Sequence, residues 1–84
     1  MGAASFQPTA PDGPDITDYD RAHAGAYLRL LDAEAASAPW QAMAAQVLEQ
    51  DIGGDPAGAQ DMLDSHLRRA HWLRDGGFLR LLRE

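Results

Sequence analysis

No cysteine occurs in the 84 residues, which removes disulfides, thiolate nucleophiles and cysteine-bound zinc and fits a reducing compartment. Lysine is absent too: all seven basic residues are arginine, set against thirteen acids for a formal charge of −6. That balance opposes non-specific attraction to DNA, RNA or anionic lipid. No apolar stretch approaches the ~18 residues that cross a bilayer, and Met1 to Asp15 has neither a basic residue nor an apolar run. A soluble, cytoplasmic protein without a signal peptide is therefore expected. No segment alternates apolar and polar residues as a half-buried strand would.

What is present reads as helix. Residues 1–15 carry prolines at 8, 11 and 14, glycines at 2 and 13, and Phe6 as the one large apolar group apart from the initiating Met. Such a stretch is expected to be a flexible, solvated tail, the alternative being that Phe6 docks on the domain or on a partner. Residues 16–84 are expected to form one domain. Thr17 is placed to cap a first helix over Asp18 to Ala36, with Asp18 and Asp20 at its positive end. At ~100° per residue, His23, Ala24, Tyr27, Leu30, Leu31 and Ala35 share its inner side. Ser37-Ala38-Pro39 ends this helix and starts the next, in which Trp40, Met43, Ala44, Val47 and Leu48 repeat at i, i+3, i+4, i+7 and i+8 up to about Gln50. Gly53-Gly54-Asp55-Pro56 is a turn with a cap and a restart, and a third helix to about Asp75 should bury Ala59, Met62, Leu63, His66, Leu67, Ala70 and Leu73. Gly76-Gly77 supplies a stop, and residues 78–82 form a short last helix. The fold class is all-α: a small four-helix, helix-turn-helix-like domain behind a disordered N-terminal tail.

Chemistry-bearing patterns are sparse. His66 and His71 stand five apart, ~140° around a helix, so they cannot share a metal as an i, i+4 pair does. His66 fits a core-edge histidine and His71 a surface one. Ser65 and His66 are neighbours in sequence and diverge by ~100°, while the acids fall on faces assigned to solvent. Neither an enzyme nor a metal or cofactor site is expected. Trp72 lies ~140° from the inner stripe of its helix, so either the last helix folds over it or it is an exposed interface anchor. Arg68, Arg69 and Arg74 flank it, with Asp64 and Asp75 available as surface partners. The helix that would read DNA begins Asp55-Pro56-Ala57-Gly58-Ala59-Gln60-Asp61, with two acids and no base. The fold invites DNA, and the charge opposes it.

Three stretches taken together, residues 27–35, the Trp40 helix and residues 64–73 with the glycine stop, resemble the proteobacterial family first catalogued as domain of unknown function 2285. That family is an extended-turn variant of helix-turn-helix found on mobile elements, and the resemblance covers about Thr17 to Leu82. It implies two roles. Fused copies occur in transcriptional activators of conjugative transfer, where a basic face meets DNA and the opposite face holds the activator's own N-terminal domain. Single-domain copies are antiactivators of the QseM-like kind. An acidic, single-domain copy resembles the second, which implies a monomer that binds an activator carrying a related domain and competes for its N-terminal domain. The face behind the turn would then supply the contacts, with Tyr27, Leu28, Arg29, Arg69, Trp72 and Phe78 as the expected protein-binding residues. The alternatives are a DNA-binding helix-turn-helix regulator that uses the C-terminal arginines, and a structural subunit of some assembly.

Overall fold

A computed structural model describes residues 6–77, and among these residues the regular structure is entirely helical. Four α-helices follow in order: α1 (Asp18–Ala22), α2 (Ala24–Ala35), α3 (Trp40–Gln46) and α4 (Pro56–Trp72), then a wider π-type turn over Leu73–Gly77. The expected last helix, with Phe78, lies outside the described residues.

The starts are set by local chemistry visible in the sequence. Thr17 and Asp20 form a reciprocal capping box at α1: the Asp20 amide donates to the Thr17 hydroxyl and the Thr17 amide to the Asp20 carboxylate. At α4 the Asp55 carboxylate accepts from the Gly58 amide, and Pro56 occupies the first turn.

The ends differ from expectation for identifiable reasons. The single helix expected over residues 18–36 is bent into two at His23, whose Nδ1–H joins its own backbone amide on the Tyr19 carbonyl. α2 closes with the Ala38 amide on the Ala33 carbonyl, the Ser37 amide on Glu34, and Ser37 in the left-handed region at φ 60°. α3 stops at Gln46, short of the expected Gln50, because Glu49 takes φ 58° and the Gln50 amide turns back to the Ala44 carbonyl. Val47 and Leu48 stay buried without being helical. The connection from α3 to α4, residues 47–55, is longer than the roughly three or four residues of an ordinary helix-turn-helix.

α4 packs against both α2 and α3. Ala26 and Leu30 from α2, Met43 and Ala44 from α3, Val47 and Leu48 from the turn, and Met62 and Leu63 from α4 form the main core. A smaller cluster of Tyr27, Ala70 and Leu73 lies towards the C-terminal end of α4. Of the inner stripe expected for the first helix, Ala35 is exposed. The stripe expected for α4 is buried except for Leu67, which is half-buried.

α4 also buries a second face, Ser65 and Arg69, which its periodicity did not indicate. The cover is the N-terminal segment, expected to be a tail. Residues 6–15 have no helix or strand, yet they lie as a strap on the helices: Phe6 packs against the main core, Ala10 is buried, and Arg69 bonds the carbonyls of Gly13 and Asp15. The strap is held because Ser65 and Arg69 of α4, each already bonded within the helical frame, have capacity left for its backbone groups.

At Ser37 a non-glycine residue sits where left-handed backbone costs about 1–2 kcal/mol, partly offset by the extra chain entropy that glycine brings. Ser37→Gly should therefore raise stability by about 0.5–1 kcal/mol, read as a higher urea midpoint with an unchanged m-value.

Candidate functional site

The densest polar arrangement in the molecule is buried at the junction of α1, α2, α4 and the strap. Asp20 is fully buried and receives Arg69 through two bonds, Nε to Oδ1 at 3.0 Å and Nη2 to Oδ2 at 2.6 Å. The Tyr27 hydroxyl donates to Oδ1 at 3.0 Å, and the Thr17 amide and hydroxyl donate to Oδ2 at 3.0 and 3.1 Å. Two further Arg69 N–H groups reach the Gly13 carbonyl at 2.6 Å and the Asp15 carbonyl at 2.8 Å. Its guanidinium lies 4.0 Å from the centroid of the Trp72 ring. Burial alone pushes the Asp20 carboxyl up, but the bonds from Arg69, Thr17 and Tyr27 outweigh it and hold the group below the usual carboxylate range. Burial, with the Asp20 charge beside it, pushes the Tyr27 phenol well up, so it remains a donor.

A second polar chain lies alongside. His66 is fully buried, and its Nδ1 is 2.7 Å from the Met62 carbonyl. A carbonyl only accepts, so Nδ1 carries the proton and Nε2 accepts from the Tyr19 hydroxyl at 2.6 Å. That hydroxyl in turn accepts the Gln7 amide. Ser65 Oγ donates to the Met62 carbonyl and accepts the Ala10 amide. Ser65 Oγ lies 3.3 Å from His66 Nδ1, and both groups direct their protons to the same backbone oxygen. Desolvation lowers the His66 pKa below its ordinary value, and His23 nearby adds to this. Phe6 covers the pair, with ring centroids 4.7 Å from His23 and 5.9 Å from His66.

Above this cluster an open groove of about 220 Å³ runs between the strap and α4, lined by Thr9 to Asp12 on one side and by Ser65, Arg68, Arg69 and Trp72 on the other. Trp72 is half-buried: its ring stacks on Arg69 and forms a groove wall, while the last helix that was one of its two expected settings lies outside the described residues.

The six expected protein-binding residues do not form one patch. Tyr27 and Arg69 are interior, at 0% and 3% exposure, because their polar ends are required by Asp20. Asp20 itself corrects the placing of the acids on solvent faces. Leu28 is the one exposed large apolar side chain among the described residues, at 51%, and Arg29 is exposed. Arg29 borders a different hollow, with Phe6, His23 and Glu49, and not the Trp72 groove. Phe78 lies outside the described residues. Thr9 to Asp12 escaped the sequence reading, which weighed Ser65 only as a nucleophile, although the proline spacing and the lone aromatic Phe6 were the available signals. His71 is half-exposed and joins α4 to α2 through Glu34 at 2.6 Å. Among the described residues no group of three or more His, Cys, Asp or Glu is placed to hold a metal ion.

The surface at the helix-turn-helix position is acidic. Glu49, Asp51, Asp55, Asp61 and Asp64 are exposed around the turn and the first half of α4, and the first arginine of α4 is Arg68. Of the arginines beyond it, Arg69 is interior and Arg74 pairs with Asp75 at 3.1 Å.

Three outcomes follow for stability. Arg69→Ala leaves the Asp20 charge buried and uncompensated, which costs about 3–5 kcal/mol. Arg69→Met combined with Asp20→Leu should cost less than the sum of the two single changes, as measured by urea unfolding in a double-mutant cycle. For His66 the folded pKa lies below the unfolded 6.5, so the unfolded chain binds the extra proton first. Its contribution is complete above pH 6.5 and is lost on acidification, at up to about 1.4 kcal/mol per pH unit until the folded pKa is reached. Urea midpoints between pH 7.5 and 5 should fall more steeply for the native chain than for His66→Gln.

No family model matches the chain, and a search of curated proteins returns none similar to it.

Proposed function

We propose that the chain is an antiactivator: a protein-binding domain that occupies the N-terminal domain of a transcriptional activator of conjugative transfer and so blocks transcription activation. The observation that carries this reading is the surface at the helix-turn-helix position. A domain that reads DNA there places Arg or Lys against phosphates. Here the turn and the first half of α4 expose Glu49, Asp51, Asp55 and Asp61. Arg69, one of the arginines on which a DNA-binding reading relied, is enclosed by Asp20, Gly13 and Asp15. The long α3–α4 turn is consistent with the extended-turn resemblance, and the acidic surface with its single-domain, inhibitory branch. Binding to the activator would use the face behind the turn, where Leu28 is the exposed apolar side chain and Arg29 its charged neighbour. The DNA-binding regulator has the same helices in its favour but lacks the charge.

Titrating the isolated N-terminal domain of a cognate activator should give a stable complex by calorimetry. Leu28→Asp should weaken it at least ten-fold, about 1.4 kcal/mol, without moving the melting temperature. In parallel, promoter DNA at about 50 mM salt should show no mobility shift. A shift that fades steeply with added salt, together with no complex, selects the DNA-binding regulator.

A further inference from the structure

The strap is an unusual cover. It is attached by its own backbone: the amides of Gln7 and Ala10 donate to Tyr19 and Ser65, and the carbonyls of Gly13 and Asp15 accept from Arg69. Of its side chains Ala10 is buried and Phe6 and Pro11 are half-buried, whereas Gln7, Pro8, Thr9, Asp12, Pro14 and Asp15 are exposed. Lifting it would uncover the apolar contacts of Phe6 and Ala10. It would also leave a row of polar groups whose positions do not depend on it. Arg69 is clamped by Asp20, Ser65 Oγ is bonded to the Met62 carbonyl, and the Tyr19 hydroxyl is bonded to His66. Such a row is already arranged to receive the backbone of another extended chain, and preorganised donors lower the ordering cost of binding.

The strap's sequence indicates what fits. Prolines stand at every third position, 8, 11 and 14, which restricts the free chain and suits an extended conformer. Pro11 and Trp72 line the same groove, an aromatic wall beside a proline as in grooves that bind proline-rich segments. We propose that the channel beneath the strap is a binding site for extended, proline-spaced peptide segments, filled in cis by residues 6–15. A partner segment that displaces the strap carries an aromatic residue for the His23–His66 pocket and a small residue four positions on. It then offers backbone carbonyls three and five positions further along to Arg69. These contacts are independent of the antiactivator reading, and an activator N-terminal domain that fails to bind leaves them in place.

The probe is a fluorescein-labelled peptide with the sequence of residues 6–16, titrated into the full chain and followed by polarisation. In the native chain the strap competes at an effective concentration of roughly millimolar. Ala10→Asp puts a carboxylate where the native side chain is 6% exposed and should eject the strap. That variant should bind the peptide at least ten-fold more tightly than the native chain, and the same substitution in the peptide should abolish binding. A variant that keeps its helical circular dichroism and binds no more tightly overturns the proposal. So does a native dimer in sedimentation that dissociates with Ala10→Asp, since the channel would then belong to a second copy. If Ala10→Asp unfolds the chain, millimolar unlabelled peptide added to the native protein must shift the NMR signals of the Ser65 amide and the Trp72 indole. Unmoved signals overturn the proposal equally.

Discussion

A guanidinium withdrawn from water needs an acceptor for each of its N–H groups, and in a chain this small few elements are available to supply them. Arg69 places four of its five N–H groups on three residues from two segments: the Asp20 carboxylate in α1, and the carbonyls of Gly13 and Asp15 in the strap. Tyr27 of α2 completes the shell around Asp20. Every described segment near the C-terminal half of α4 is therefore positioned by reference to one cation. A buried ion pair adds little net stability over an apolar substitute, but it tolerates few alternative arrangements. Its contribution here is to register: it determines where the strap lies and how α1 meets α4.

The same pair shapes the surface. Because Arg69 points inward and Arg74 turns to Asp75, the arginine-rich C-terminal half presents less free positive charge than its composition suggests. The acids around the turn have no such inward partner in Asp51, Asp55 or Asp61, and they remain exposed. The electrostatic contrast between the two halves of the sequence is thus reduced in three dimensions, and the helix-turn-helix face keeps its negative sign. Trp72, placed over the guanidinium, becomes a groove wall because the residue beneath it is fixed.

Much of the helical frame was legible from local pattern. Thr17 and Asp55 cap where their residue types and positions indicate, Pro56 opens α4, and the Trp40-to-Leu48 repeat is buried in the main core. Helix ends were less legible. His23 bends the first helix through a side-chain bond to Tyr19, and Ser37 and Glu49 enter left-handed backbone although neither is glycine. The candidate site was the least legible. Arg69 was expected at the surface because a single-helix projection shows which side a residue faces, not what covers that side; Tyr27, which the projection already placed inside, was assigned to a binding face only by the resemblance.

By itself, the sequence determined that the fold is helical, where α1, α3 and α4 begin, that no thiol chemistry is available, and that the turn is acidic. All of these follow from interactions within a few residues or from composition. Only the tertiary structure decided that Asp20 is interior, that α4 has a second buried face, and that residues 6–15 form a strap. The physical reason is separation along the chain. Asp20 and Arg69 are 49 residues apart, and Gly13 and Arg69 are 56 apart. No periodicity in a window of one helix carries information about a bond that exists only after the chain has folded back on itself.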